Sequence, residues 1–403
     1  MKVVLVNSLY APYRVGGAER SVEMLAQGLL SEGVQVSVIS LHDGKGVVRE
    51  LRDGVDVWRL PLRNSYWPFD LAKRSPVRRL IWHIRDIYNW RALSDILAAL
   101  EVIKPDVVHT NNLAGFSVSA WDAAGRYGVP LVHTARDYYL LHPNSTLYAK
   151  GRVQDESALV PRLWAFLKRR VQWRVDCFVS ISSYVRDIHL RNGHFPVANS
   201  TVIHNSVELP ESVPQRELRQ SRALKLGFIG RLDPSKGVEL LIDVAARLPD
   251  VIVLIAGDGR RDYVEKLKSI APGNVVFLGR TEPAELFACI DPLVVPSVWA
   301  EPLGRVVLEA YAYGMPVLAS RLGGLTDVVE DGVSGWYFDV ASPESLESAI
   351  RQIQRADIEA MRVACLARSA EFSLQAIAER YLSVYQNAVQ VRLPETEASC
   401  DLL

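Results

Sequence analysis

Two separate series of short, continuously apolar segments run along this chain, and they constrain its fold more than any other feature. Polar or amphipathic stretches separate the segments. A strand that is apolar along its whole length is buried on both faces, as in a parallel sheet. The segments of the first series are Val3 to Val6, Val34 to Ile39, Val107 to Val108, Leu131 to Val132 and Cys177 to Ile181.

The second series begins after His204 and comprises KLGFIGR, VIVLIAG, NVVFLG, PLVVPS, PVLAS and GWYF. It resembles a second Rossmann-like sheet and not a continuation of the first. With 403 residues, the chain is long enough for two domains of roughly 150 to 200 residues each. We therefore predict an α/β fold with two Rossmann-like domains facing across a cleft.

The predicted boundaries follow the polar, proline-containing linker at 208–222. Residues 1–205 form the N-terminal domain, and residues 206–372 form the C-terminal domain. A helix at 373–391 is expected to cross back to the first domain. We expect the acidic tail at 392–403 to be disordered, because it has little apolar surface to bury.

Charge and cysteine content exclude several classes of protein. Lys plus Arg equals Asp plus Glu at 46 each, so no global field attracts nucleic acid. The four cysteines lie far apart with no CxxC pair, which indicates free thiols in a reducing compartment. The N-terminus lacks a signal-peptide core, and no run approaches the roughly 20 apolar residues of a membrane span. We expect a cytoplasmic protein.

The segment SVWAEPLGRVVLEAYAY, from Ser297 to Tyr313, carries two carboxylates with different settings. Pro302 disfavours helical geometry at Glu301, which is predicted to lie in a loop. Glu309 lies in the following helix, roughly 12 Å further along, too far for a coupled acid/base pair. With Gly304 at the helix N-terminus, the layout suits a phosphate-containing ligand. The alternative is that both carboxylates are simply solvated.

A second cluster, GFIGRLDPSKG, ends a strand at Gly230 and then carries Arg231 and Lys236. Two fixed cations beside a glycine turn suit a pyrophosphate. Alternatively, the loop is an ordinary β-to-α turn whose basic residues face water. Its pairing with 297–313 favours a ligand site.

In the N-terminal half, Gly16-Gly17-Ala18-Glu19-Arg20 opens the first predicted helix. The segment lacks GxGxxG, so the nicotinamide fingerprint is absent. The glycine pair either admits a ligand close to the backbone or only makes the turn.

Taken together, these motifs resemble the retaining GT-B glycosyltransferases of family 4, the glycosyl transferase group 1 type. The resemblance covers nearly the whole chain. It rests on the GGAER segment at 16–20, on the GRL…KG loop with Arg231 and Lys236, and on the E-x7-E pair Glu301 and Glu309.

The resemblance implies a nucleotide-sugar donor. Arg231 and Lys236 would neutralise its diphosphate, which is also the leaving group. Glu309 would bind the ribose hydroxyls, and Glu301 would face the transferring sugar. Backbone contacts with the donor are implied for Gly16, Gly17, Gly230, Gly279, Leu303 and Gly304.

The family is usually explained by front-side attack through an oxocarbenium-like state, with the leaving phosphate helping to deprotonate the acceptor. No nucleophilic side chain is identifiable in this sequence. It also contains no D-x-D triplet, so positive side chains and helix dipoles would replace a metal. We expect no cofactor and no metal.

One departure from the family concerns the strand in VPLVHTARDYY. Many members carry a His-Asp pair after it, whereas this chain has Arg136-Asp137. His133 comes three residues earlier and in an alternating strand can point to the other face, so the histidine role is not transferred to it. Arg136 could contact a phosphate or an acceptor. His109, at another strand end, is either a cleft residue or a structural one.

The acceptor is expected to be a saccharide or a lipid-linked sugar, as in polysaccharide or glycolipid biosynthesis. Two rival functions remain: a nucleotide-sugar epimerase of GT-B fold, which needs no acceptor surface, and a catalytically silent sugar-nucleotide-binding protein.

Two stretches, 71–100 and 161–175, mix basic and aromatic residues and are candidates for peripheral membrane contact. The basic side chains of the first include Lys73, Arg74, Arg78, Arg79, Arg85 and Arg91. In the alternative interpretation, Trp82, Trp90, Trp164 and Trp173 pack into the N-terminal domain while the arginines stay solvated.

Overall fold

The chain forms two compact units in a computed structural model, which describes residues 1–13, 16–70, 72, 74–149, 151–156, 158–213 and 223–392. The first unit contains 1–146, 155–204 and the residues from 374 onward, and the second contains 147–154 and 205–373. Residues 214–222 of the predicted linker, Lys73 of the first basic stretch, and the predicted tail beyond 392 lie outside the described residues.

Strands and helices alternate along most of the chain. The described residues form these strands: β1 (Lys2–Val6), β2 (Gln35–His42), β3 (Val48–Arg52), β4 (Val55–Pro61), β5 (Val107–Thr110), β6 (Leu131–Ala135), β7 (Tyr148–Ala149), β8 (Arg152–Val153), β9 (Cys177–Ser180), β10 (Asn199–Val202), β11 (Leu224–Ile229), β12 (Val251–Ala256), β13 (Val275–Gly279), β14 (Leu293–Val295), β15 (Val317–Ser320) and β16 (Gly335–Phe338).

The α-helices are α1 (Gly17–Ser31), α2 (Pro76–Arg85), α3 (Trp90–Ile103), α4 (Ser119–Tyr127), α5 (Leu159–Lys168), α6 (Ser183–Arg191), α7 (Val238–Arg247), α8 (Arg261–Ile270), α9 (Pro283–Cys289), α10 (Arg305–Ala312), α11 (Leu325–Val328), α12 (Pro343–Arg355), α13 (Ile358–Ala370) and α14 (Leu374–Arg392). Two short 3-10 helices lie at Arg169–Arg174 and Pro234–Lys236. No described helix is long and apolar enough to cross a membrane.

The sheet of the first unit has the strand order β10-β9-β6-β5-β1-β2-β4-β3. Its strands pair in parallel, except that β3 runs antiparallel to β4. The central strand β1 is buried along Val3–Val6, as its apolar run predicts. The β3–β4 hairpin is not among the predicted strands, and β3, at the edge of the sheet, lacks a continuous apolar run.

The sheet of the second unit has the order β13-β12-β11-β14-β15-β16, all parallel. Numbered along the chain, this is the Rossmann order 3-2-1-4-5-6. The predicted α/β class with two Rossmann-like sheets is thus confirmed. The strand order reverses between β11 and β14, and ligands of such sheets bind beyond the carboxyl ends of the strands at this switch point.

The last helix, α14, packs in the first unit against α1. Its residues Ile377, Ala378, Tyr381 and Tyr385 belong to the same buried core as β1 and the inner face of α1. Close approach is possible because Gly28 has no side chain: a Cβ there would lie 3.0 Å from the Leu374 carbonyl oxygen and from the Ala378 Cβ.

Replacing Gly28 with leucine should therefore force α1 and α14 apart. We expect Gly28→Leu to cost about 1 to 3 kcal/mol through overpacking. The matched control is Gly273→Leu, because a Cβ at Gly273 meets nothing within 4 Å. Urea denaturation of both variants measures the difference; equal midpoints would contradict this packing.

Candidate functional site

The loop after β11 is shaped by the 3-10 helix Pro234–Lys236. The Asp233 carboxylate precedes it and accepts hydrogen bonds from the Ser235 N–H at 3.0 Å and the Ser235 hydroxyl at 2.6 Å. Pro234 suits the first helical position because its φ is fixed and it has no N–H to satisfy. The Asp-Pro-Ser sequence could have indicated this cap, but we did not use it.

Gly237 brings this loop against the segment after β14. Its φ is +69°, and a Cβ would lie 1.8 Å from the Pro296 carbonyl oxygen. A non-glycine residue would therefore meet both backbone strain and a collision. The Val298 N–H donates to the Ser235 carbonyl at 2.9 Å across the same junction. The two clusters singled out in the sequence thus form one structure at the switch point.

A short ion pair joins the same two loops. The Lys236 Nζ donates to Glu301 Oε1 at 2.6 Å, and the Ser297 hydroxyl donates to that oxygen, also at 2.6 Å. The Trp299 indole N–H adds a third hydrogen bond at 3.3 Å. Glu301 lies in the loop before α10, as predicted, and its side chain is buried.

These contacts set the charge of Glu301. Burial acts to raise the pKa of its carboxyl, but the Lys236 ammonium and the hydrogen bonds from Ser297 and Trp299 outweigh burial and hold the pKa below its usual value. Glu301 is therefore a fixed negative charge at neutral pH and not a general acid.

A glycine pair that sequence reasoning missed holds the Glu301 backbone. The Gly324 N–H donates to the Glu301 carbonyl at 2.7 Å. At Gly323 a Cβ would lie 2.4 Å from that carbonyl oxygen. The Gly-Gly step ahead of α11 was the available signal, although nothing in the sequence connects it with position 301.

Helix α10 begins after Gly304, and the side chain of the preceding Leu303 is buried. Glu309 lies one turn inside the helix, where its carboxylate accepts from the Arg305 guanidinium at 3.1 Å. This residue, implied to bind ribose, is thus paired on its own helix in this structure.

Three glycines lie at the carboxyl ends of the neighbouring strands β11, β12 and β13. The Gly230 N–H donates to the Ala256 carbonyl at 3.2 Å, and the Gly257 N–H donates to the Gly279 carbonyl at 2.6 Å. Both predicted donor-contact glycines, Gly230 and Gly279, therefore lie along this edge. Arg231 is exposed beside them, and within the part of the chain that the structure describes it forms no ion pair.

In the first unit, the candidate donor contacts are the glycines at the start of α1. Gly16 caps α1, and its N–H donates to the Glu19 carboxylate at 2.9 Å. The N–H that we expected near a donor phosphate is engaged by the protein itself here. Gly17 is the first residue of α1.

His109 has a structural position inside the first unit. It is completely buried, with Nδ1 2.7 Å from the Tyr385 hydroxyl and Nε2 2.7 Å from the Thr134 hydroxyl. Burial lowers its pKa well below the usual value, with Arg136 and His133 adding to the effect, so the ring is neutral. Both ring nitrogens are used inside the protein, which favours the structural one of the two alternatives for His109.

His133 points away from the side of β6 that carries Thr134. Its Nδ1 lies 2.9 Å from the Thr110 hydroxyl, and its ring packs among Trp121, Phe178 and Phe195. Burial lowers its pKa to about 3. The geometry gives His133 a core position, and it does not replace the family histidine.

Arg136 and Asp137 follow β6 and differ in setting. Arg136 is buried and donates to Asn111 Oδ1 at 2.8 Å. Asp137 is half-buried and accepts from the Tyr139 N–H at 2.8 Å. Burial raises the pKa of Asp137 to about 7; the Tyr139 N–H opposes this shift, and the nearby Glu19 adds to it.

Within the described ranges, no group of three or more His, Cys, Asp or Glu side chains is arranged to hold a metal ion. The donor-side candidates are therefore cations, backbone groups and two carboxylates.

Comparison with known proteins assigns the chain to a family. Residues 211–368 match the model of the glycosyl transferases group 1, and residues 16–206 match the glycosyl transferase 4-like domain. A Klebsiella pneumoniae protein named as a 42.6 kDa protein in the cps region is 36% identical over 328 residues, 81% of this chain and 87% of that protein. The chain belongs to the group 1 glycosyltransferases.

Two solved structures show the fold of this group 1 glycosyltransferase. Sucrose-phosphate synthase from Thermosynechococcus elongatus has a TM-score of 0.75 at 20% identity, covering 97% of this chain and 99% of that one. The Anabaena protein HepE in complex with UDP-glucose has a TM-score of 0.65 at 20% identity, covering 96% and 100%. The fold is therefore GT-B.

The junction at Gly237 gives a direct test of the site geometry. Gly237→Ala should combine about 1 to 2 kcal/mol of backbone strain with about 1 to 3 kcal/mol of overpacking against Pro296. Gly332→Ala is the matched control, since Gly332 has φ +78° but open space around a Cβ. Urea denaturation should show the larger loss at Gly237; equal losses would contradict the close approach.

Asp137 gives a pH-dependent test. Because its folded pKa is raised, its contribution to stability is full below the unfolded value and is lost as pH rises through about 7. The stability of Asp137→Asn relative to the wild type should therefore increase as the pH rises from about 4 to about 7. Above about pH 7 this difference should stay constant. Thermal midpoints between pH 4 and 8 measure this, with Asp43→Asn on an exposed loop as control. A pH-independent difference would contradict it.

Proposed function

We propose that this glycosyltransferase takes its sugar from a nucleotide-sugar donor held at the switch point between β11 and β14. The observation that carries the proposal is the joined pair of loops in which Lys236 contacts Glu301 at 2.6 Å. It holds a cation and a carboxylate side by side where ligands of such sheets bind. The HepE structure, which contains UDP-glucose, supports a donor of this class.

The charges suit a diphosphate without a metal. An ammonium group has three N–H donors, and Glu301 uses one of those of Lys236, which leaves donors for a phosphate oxygen. Arg231 adds a second, exposed cation. The N-terminus of α10 offers a favourable dipole beside them. We propose that these groups replace a metal ion at the leaving group.

The transfer that we propose retains the anomeric configuration. The bond between the sugar C1 and the diphosphate oxygen breaks, and a bond from the acceptor oxygen to C1 forms on the same face. The acceptor proton passes to the departing phosphate. Glu301, ionised and fixed by its three hydrogen bonds, stabilises the positive charge that develops on the sugar ring.

We further propose that the acceptor is a saccharide or a lipid-linked sugar of surface polysaccharide or glycolipid synthesis. The Klebsiella pneumoniae relative, named for its place in a cps region, supports this assignment. A lipid-linked acceptor would bring a cytoplasmic enzyme to the inner face of a membrane, through 71–100 and 161–175. The rival epimerase would release an altered nucleotide sugar without any acceptor, so product analysis with donor alone separates the two.

The site assignment predicts different losses for different residues. Glu309→Ala should weaken donor binding, whereas Glu301→Gln should lower kcat by about 10²- to 10³-fold with little change in affinity, because it removes transition-state charge stabilisation. Arg231→Ala should weaken binding of the diphosphate. The measurements are calorimetric titration with UDP-, GDP- and ADP-sugars in metal-free buffer, and kinetics with the donor that binds.

The matched control is Glu347→Ala. Glu347 pairs with Arg351 four residues along α12, as Glu309 pairs with Arg305 on α10, but far from the loops in sequence. Unchanged affinity in Glu309→Ala and Arg231→Ala would refute the donor site. The anomeric configuration of the product, read by NMR, decides retention, and an inverted product would refute the proposed chemistry.

A further inference from the structure

Helix α2 turns an apolar stripe towards solvent. Val77, Leu80, Ile81 and Ile84 recur at i, i+3, i+4 and i+7, the spacing by which a surface helix normally faces its core. All four are exposed, and Val77, Leu80 and Ile84 by more than half of their surface. The helix reaches the protein interior through Trp82, whose indole N–H donates to the Tyr66 carbonyl at 3.1 Å.

Helix α5 repeats the arrangement. Its inward residues, which are buried, are Pro161, Trp164, Ala165 and Lys168. Its outward residues are also apolar and exposed: Leu159, Val160, Leu163 and Phe166. A helix of this length with apolar residues on both sides requires a second apolar environment on its outer side.

Two contacts hold these helices side by side. The His83 ring lies edge-on to Trp82 at 5.3 Å and to Trp164 at 5.6 Å between ring centroids. At the C-terminal ends of the helices, the fully buried Lys168 ammonium lies 3.2 Å from the Asp86 carboxylate. The inner sides of the two helices thus meet, and we call the eight exposed apolar residues of α2 and α5 the α2–α5 face.

The two segments that carry this face are basic. Neither 76–85 nor 159–174 contains an acidic residue, although acidic and basic residues balance at 46 each over the chain. Among the residues that the structure describes, these basic side chains of the two segments form no ion pair: Arg78, Arg79, Arg85, Arg162 and Arg170. Exposed apolar residues and exposed arginines on the same helices match a surface of hydrocarbon beneath anionic headgroups.

Of the four tryptophans in the two basic stretches, two pack into the first unit and two are exposed. Trp82 and Trp164 are buried, as the packing interpretation expects. Trp90 and Trp173 are exposed, and the Arg174 guanidinium lies 4.1 Å over the Trp173 ring. Exposed Trp beside Arg suits the boundary between headgroups and acyl chains.

We propose that the α2–α5 face docks on an anionic lipid bilayer. This deepens the proposed function, on which it rests for its purpose: it would bring the first unit to an acceptor carried in the membrane. A second copy of the chain is the less favoured occupant, because a symmetric dimer through this face would bring like-charged arginine rims together. The surface lies on helices other than those of the donor loops, so the two proposals can fail separately.

The test is flotation of the full-length protein with vesicles of phosphatidylcholine alone or mixed with phosphatidylglycerol, at low and high salt. We expect binding to the mixed vesicles that weakens with salt. The double variants Leu80→Glu/Ile84→Glu and Leu163→Glu/Phe166→Glu should each lower it at least about tenfold. The matched control is Leu51→Glu/Val363→Glu, which places the same charges on apolar residues of β3 and α13 that are also more than half exposed.

Absence of binding to mixed vesicles, or equal loss in the control, would overturn the proposal. So would concentration-dependent dimers that the Leu80→Glu/Ile84→Glu variant abolishes, since they would assign the face to a second copy. Donor titration of the same variants should match the wild type. Lost donor binding in Arg231→Ala with intact flotation separates the donor site from the membrane face.

Discussion

The ion pair between Lys236 and Glu301 is the interaction on which the rest of the site depends. A buried carboxylate is costly unless it is paired and hydrogen-bonded, and Glu301 meets both conditions through Lys236, Ser297 and Trp299. Since the partners come from loops after two different strands, satisfying this charge also fixes the two loops to each other. Helix α10 starts four residues later along the chain.

Local sequence signals were enough for many of the elements and for part of the site. Apolar runs identified all the strands of the second sheet and five of the first, and Pro302 placed Glu301 ahead of its helix. Both are properties of a few adjacent residues. The order of strands, and with it the switch point between β11 and β14, follows from the Rossmann connection of such segments.

Contacts between residues far apart in the sequence could not be predicted from it. Nothing in the sequence links Lys236 with Glu301 across 65 positions, or shows that the Gly323–Gly324 pair would enclose the Glu301 carbonyl. The two alternatives for His109 stayed open because its partner Tyr385 lies 276 residues away, on α14. Long-range packing decides each of these cases, and no local pattern encodes it.

A second ion pair, between Lys168 and Asp86, joins two segments of the first unit. Lys168 is buried against Asp86 and joins α2 to α5, while the apolar residues of those helices face outwards. Interior polar contacts thus hold an exposed apolar surface in place. In both places an ion pair with at least one buried partner joins two segments of the chain.

We propose that the loops after β11 and β14 bind the nucleotide part of a sugar donor. Hydrogen–deuterium exchange of the full chain, with and without saturating UDP, GDP or ADP, is the measurement to make. We expect the nucleotide that binds to slow exchange in both 230–237 and 298–309, where the joined loops and the start of α10 lie. A nucleotide that binds without slowing exchange in either segment would contradict it.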